Sequence, residues 1–145
     1  MVIDFLVISE LESIREKKRR LSERESELSL PKLQDISLIP ALYEWFNEIQ
    51  DNRDCPARRG CARLKKQFIF IVMFLYSPST LAGGKIGNGI RDAISEVLEF
   101  KSPTGVSNLC VDVTFLYDTY PDFSRDIEYL YTEIVNRLKV KGLIK

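Results

Sequence analysis

Residues 88–120 read NGIRDAISEVLEFKSPTGVSNLCVDVTFLYDTY, and the reading of this stretch decides the fold. Ile90, Ala93, Ile94, Val97 and Leu98 recur at three-and-four spacing, which predicts a helix with one apolar face. Val106, Leu109, Cys110, Val113, Leu116, Tyr117 and Tyr120 repeat that pattern over four further turns. Between the two, Ser102 suits an N-cap, and Pro103 suits the first helical position, where no N–H is required. Two apolar faces joined by three or four residues, the second helix capped, are the sequence form of a helix-turn-helix at about residues 88–120.

The start of the second helix gives the stretch a candidate chemistry. In Thr104-Gly105-Val106-Ser107-Asn108 only Val106 points inward; the others are small or hydrogen-bonding. Such side chains fit a DNA major groove and meet base edges, so Thr104, Ser107, Asn108 and Lys101 just before them are the candidate base readers. An ordinary capped helix with a polar outer face would carry the same residues.

Outward from this pair, the chain of 145 residues is long enough to bury a core and reads as one domain with an arm. Its 21 basic and 21 acidic residues cancel, which excludes a histone-like coat protein but leaves room for a local basic patch. Arg53, Arg58, Arg59, Arg63, Lys65 and Lys66 make such a patch against Asp51 and Asp54, and they lead into Phe68–Tyr76, FIFIVMFLY. That run allows a strand, but the helix-prone Ala62–Gln67 before it predicts a buried helix with the basic turns at its exposed start. Arg58, Arg59, Arg63, Lys65 and Lys66 are therefore candidate phosphate contacts, which position a reading helix without carrying sequence information. A solvated face is the plainer alternative.

Ser77–Gly89, SPSTLAGGKIGNG, reads as a loop. Gly83-Gly84-Lys85 lacks the glycine spacing and the Ser or Thr after lysine that a nucleotide-hydrolysing loop needs; Lys85 remains a candidate phosphate contact. Residues 1–30 predict one long helix, in which Val7, Ile14, Leu21 and Leu28 recur every seven residues. Leu11 adds an intervening apolar position, while Lys18 and Glu25 occupy the matching ones. This arm is a candidate coiled coil and suggests a homodimer. Pro31–Pro40 reads as a connector anchored by Leu33, Ile36 and Leu38. A short helix from Pro40 follows, with Leu42, Trp45, Phe46 and Ile49 inward. A last helix after Pro121, capped by Asp122 or Ser124, carries Ile127, Leu130, Tyr131, Ile134, Val135 and Leu138.

The chain has no histidine, so histidine-based nucleophilic catalysis and histidine metal sites are absent. Cys55, Cys61 and Cys110 fall short of a four-ligand zinc set, and Asp122 and Asp126 have no sequence neighbour suggesting shifted acidity. The expectation is a protein without enzymatic activity, cofactor or metal. The odd cysteine count, a longest apolar run of nine residues and a start without a basic segment point to the cytoplasm and away from a membrane.

Two resemblances follow from these motifs. Leu98-Glu99-Phe100-Lys101-Ser102-Pro103-Thr104-Gly105-Val106-Ser107-Asn108 resembles the turn of prokaryotic helix-turn-helix proteins, with Glu99 where that family has a turn glycine. More broadly, Arg58–Leu138 resembles the C-terminal DNA-binding domain of the replication initiator DnaA, in which a basic segment, a hydrophobic helix, a loop, a helix-turn-helix and a closing helix follow one another. Lys101–Val106 stands in place of that family's arginine-aspartate-histidine-threonine-threonine-valine signature. The chain is also similar to uncharacterised proteins of Bacteroidetes genomes and mobile elements. The resemblance implies an all-helical fold and a regulatory or replication-linked DNA-binding role; a protein-interaction adaptor with a helix-turn-helix-like fold is the alternative.

Overall fold

The computed structural model describes residues 4–53 and 61–144, with Asn88 placed by its backbone alone. The described residues are helical and include no strand. They fall into two compact units, Met1–Leu30 and Pro31–Lys145.

The first unit is one helix, α1 (Leu6–Leu28), and no residue of it is buried. Arg19 holds Glu16 and Glu23 at 2.5 Å each, Arg20 reaches Glu16 at 3.1 Å, and Arg24 reaches Glu27 at 3.2 Å. Pairs three and four residues apart are neighbours on a helix surface, so the dense alternation of signs becomes a ladder of ion pairs.

The second unit contains α2 (Ile39–Asp51), α3 (Ala62–Tyr76), the single turn α4 (Pro78–Leu81), α5 (Asn88–Val97), α6 (Thr104–Thr119) and α7 (Pro121–Val140), with a 3-10 turn at Ile36–Leu38. Its centre is α3, nine of whose fifteen residues are buried. The FIFIVMFLY run is thus a helix, apolar nearly all round because α2, α6 and α7 pack against it. Phe68 meets Tyr43 and Phe46 edge-on, with ring centres 5.0 and 5.5 Å apart. The connector caps the far end of α3: Lys32 and Leu33 N–H groups donate to the Leu75 carbonyl, and the Tyr76 hydroxyl donates to the Asp35 carbonyl at 2.7 Å. Burial, with the Asp35 charge added, pushes the Tyr76 phenol well up and keeps it a donor.

Several expectations are corrected. Trp45 is half-buried at the edge of α2 with the Lys141 ammonium 5.6 Å from its ring, while Phe46 and Ile39 take the core positions. Ile36 stays exposed, and Tyr120 is exposed beyond the end of α6. The Ser77–Gly89 loop contains the turn α4, because Pro78 suits a first helical position. Pro121 begins α7 rather than preceding it, and the Ser124 hydroxyl bonds back to the Pro121 carbonyl. Six residues, not three or four, separate Val97 from Thr104.

That longer joint has a physical reason. The Phe100 N–H donates to the Ser95 carbonyl and the Glu99 N–H to the Glu96 carbonyl, closing α5 in a Schellman motif with Glu99 at φ 59°. The same closure ends α4 at Gly83 (φ 101°) and α7 at Gly142 (φ 72°). Glu99 thus adopts the left-handed conformation for which glycine is the usual residue. The chain then turns again, with the Ser102 hydroxyl accepting from the Thr104 N–H at 3.3 Å as α6 begins.

Candidate functional site

Around the axis of α6, successive residues turn by about 100°. Val106, Cys110 and Val113 are buried, so the outer face is carried by Thr104, Asn108, Val111 and Phe115, all exposed. Thr104 and Asn108, two of the expected base readers, are thus on the exposed face, and Lys101 is exposed on the joint before them. Val111 and Phe115 are 77% and 61% exposed; the sequence had assigned neither a role, because an outward apolar pair breaks the pattern that reveals a buried face.

Ser107 does not share that face. It is half-buried, and its hydroxyl oxygen is enclosed with no hydrogen-bond partner. It lines an open groove of about 550 Å³ between the segment 80–86 and α6, together with Lys85, Arg91, Cys110, Val111 and Thr114. The Thr114 hydroxyl donates to the Leu81 carbonyl at 2.9 Å and holds the segment against α6. At the turn itself a Cβ on Gly84 would stand 2.9 Å from the Ser79 carbonyl oxygen, so the backbone approach there needs glycine. Burial pushes the Cys110 thiol up to about 11, which leaves it a packing group rather than a nucleophile. Lys85 is exposed and Arg91 half-buried. Arg91 was not recognised from the sequence, where a single arginine followed by Asp92 gives no basic signal.

The other flank of the outer face is set by the joint. Phe100 packs over Gly105, where an added Cβ would meet the ring at 3.4 Å, and the Lys65 ammonium stands 5.2 Å from the centre of the same ring. Gly105 and Ser107 lie on opposite sides of α6, about 200° apart. Lys65 thus stands on the Gly105 side of α6, and Lys85 and Arg91 on the Ser107 side, with Thr104 and Asn108 on the exposed face between.

The remaining basic candidates divide. Arg63 is committed to Asp126 at 2.6 Å, which Arg53 also holds at 2.9 Å and Gln67 at 3.4 Å. Burial of Asp126 opposes its charge, but hydrogen bonds from Arg53 and Arg63 and their positive charges outweigh it, leaving the carboxyl below its ordinary range. The sequence missed this shift because its causes lie 73 and 63 residues away. Lys66 is half-buried and lines a second groove with Arg63, Tyr120 and Asp122. Arg58, Arg59 and Cys55 lie outside the described residues.

Among the described residues no group of three or more Cys, Asp or Glu side chains is arranged to hold a metal ion. None of their helices is long and apolar enough to cross a membrane. No family model, curated protein or solved structure matches the chain.

Proposed function

We propose that residues 31–145 bind double-stranded DNA as a helix-turn-helix of the kind seen in the C-terminal domain of DnaA. The role is regulatory or replication-linked, in the cytoplasm, without enzymatic chemistry. The observation that carries this reading is the bracketing of one exposed helical face by cations on both sides. A helix in the major groove lies between two phosphate backbones, so polar groups on its outer face meet bases while flanking cations meet phosphates. Asn108 and Thr104, with Lys101 at the joint, are the base readers. Lys65 and Lys85 take phosphates beside them, with Lys66 further out. Ser107 shapes the groove instead of reading a base. Arg63 acts through Asp126 as a structural ion pair. Residues 1–30 supply a second copy through the α1 seam.

A labelled-DNA anisotropy titration over a salt series tests the reading. Lys65→Ala or Lys85→Ala is expected to weaken binding to every sequence and to reduce the salt slope by about one unit per lost phosphate contact. Asn108→Ala is expected to cost about 1–3 kcal/mol on a selected site and nothing on random DNA. Absence of binding by the wild type at low salt, where non-specific attraction is strongest, rules the reading out.

One observation favours a second reading, a protein-interaction adaptor. Val111 and Phe115 make an apolar pair on the same outer face, α6 carries the exposed Asp112 and Asp118, and residues 103–120 include no basic side chain. A wild type that binds no DNA but holds a protein partner, with that association kept in Lys65→Ala and Lys85→Ala and lost in Phe115→Ala, supports the adaptor.

A further inference from the structure

The α1 helix is unbroken for 23 residues and keeps its seam entirely open: Val7, Ile14, Leu21 and Leu28 are between 41% and 70% exposed, and Leu11 is 55% exposed. An apolar stripe recurring every seven residues is the surface that a second helix covers. Two charges interrupt it at equivalent heptad positions, Lys18 and Glu25. They are opposite in sign and seven residues apart, about 10 Å along the axis, too far to pair within one helix. The ion-pair ladder of α1 joins Glu16, Arg19, Arg20, Glu23, Arg24 and Glu27 and includes neither of them.

We propose that two copies of the chain pair through α1 in antiparallel orientation, each Lys18 meeting Glu25 of the second copy. In a parallel, in-register pair the heptad sets Lys18 against Lys18 and Glu25 against Glu25, two like-charge layers inside the seam, where opposing charges of one sign are costly. Reversing one helix removes both conflicts. When Leu11 of one copy is level with Leu28 of the other, Ile14 is level with Glu25 and Lys18 with Leu21. Lys18 then lies one turn, roughly 6 Å along the axis, from the level of Glu25 of the second copy, an offset its side chain can span. The two-fold axis repeats the contact, so each pair of helices carries two Lys–Glu contacts and two Leu11–Leu28 layers.

The orientation rests on the pairing of two copies through α1, and sedimentation of the full chain separates the two claims. The wild type is expected to self-associate reversibly. Lys18→Glu alone turns both cross-chain contacts repulsive and is expected to weaken association about tenfold. The charge swap Lys18→Glu with Glu25→Lys restores both contacts and should recover wild-type association. Both positions are exposed on α1, so the core of the second unit is untouched and loss of fold does not mask the result. A wild type that stays monomeric at high concentration overturns pairing through α1 altogether. A dimeric wild type with Lys18→Glu unchanged, or a swap that fails to recover, leaves the pairing and overturns the antiparallel orientation. A parallel pair merely exchanges one like-charge layer for another in each variant and predicts that insensitivity.

Discussion

The helices α1 and α3 are opposite solutions to the same problem. The first is 23 residues long, rich in charge, and buries none of them; the second is 15 residues long and buries nine. The first follows from local rules: good helix formers, with ion pairs one turn apart. The second contains phenylalanine, isoleucine and valine, poorer helix formers in isolation, and is helical because three other helices enclose it. Local sequence therefore makes a helix in one case, and tertiary burial in the other.

Substitutions break this contrast most sharply in the core. Phe68→Ala, at a side chain with no exposed surface, is expected to lower stability by about 3–5 kcal/mol in urea unfolding, because the ring leaves a cavity between Tyr43 and Phe46. Leu21→Ala on α1 is expected to leave that transition unchanged within about 0.5 kcal/mol in a dilute, monomeric sample.

The same contrast applies to charge. Asp126 bridges Arg53 and Arg63 with a quarter of its side chain exposed, whereas the pairs of Glu16 on α1 are open to solvent. Asp126→Asn should cost about 1–2 kcal/mol at neutral pH, the partly screened loss of two charge-assisted bonds. Its folded-state pKa is lowered, so its stabilisation is complete above the unfolded carboxyl range and disappears as pH falls through the folded value. Wild type and variant should therefore converge in acid. The hydrogen bond from Arg19 likewise holds Glu16 below its ordinary range, but Glu16→Gln is expected to leave the main unfolding transition where it is.

A smaller effect sharpens the contrast at the backbone. Glu99 ends α5 in the conformation that Gly83 and Gly142 adopt at the other two Schellman closures. Glu99→Gly removes side-chain strain there but widens the unfolded ensemble, so a net gain of about 0.5–1 kcal/mol in unfolding free energy is expected.

The helical class was readable because periodicity repeats over many residues: the inward sets of α5, α6 and α7 came directly from three-and-four spacing, apart from Tyr120. Phe68–Tyr76 was harder, since a helix buried all round has no polar side to reveal its period, and the helix-prone residues before it supplied the answer. What spacing does not encode is contact between distant segments. The pairing of Arg63 with Asp126, the placement of Lys65 on Phe100, and the turning of Ser107 into a groove all depend on how helices cross. The turn residue was a different case. Glu99 gives no glycine signal in the sequence, yet the backbone there adopts the left-handed conformation usual for glycine despite the side chain.

Trp45 has an optical consequence. It is the sole tryptophan of the chain, and the ammonium of Lys141, one residue past the end of α7, stands over its indole. A cation at that range perturbs the excited state of the ring, so intrinsic emission from this protein senses whether the end of α7 remains docked on α2. Fraying there changes the fluorescence while the centre around Phe68 is still folded.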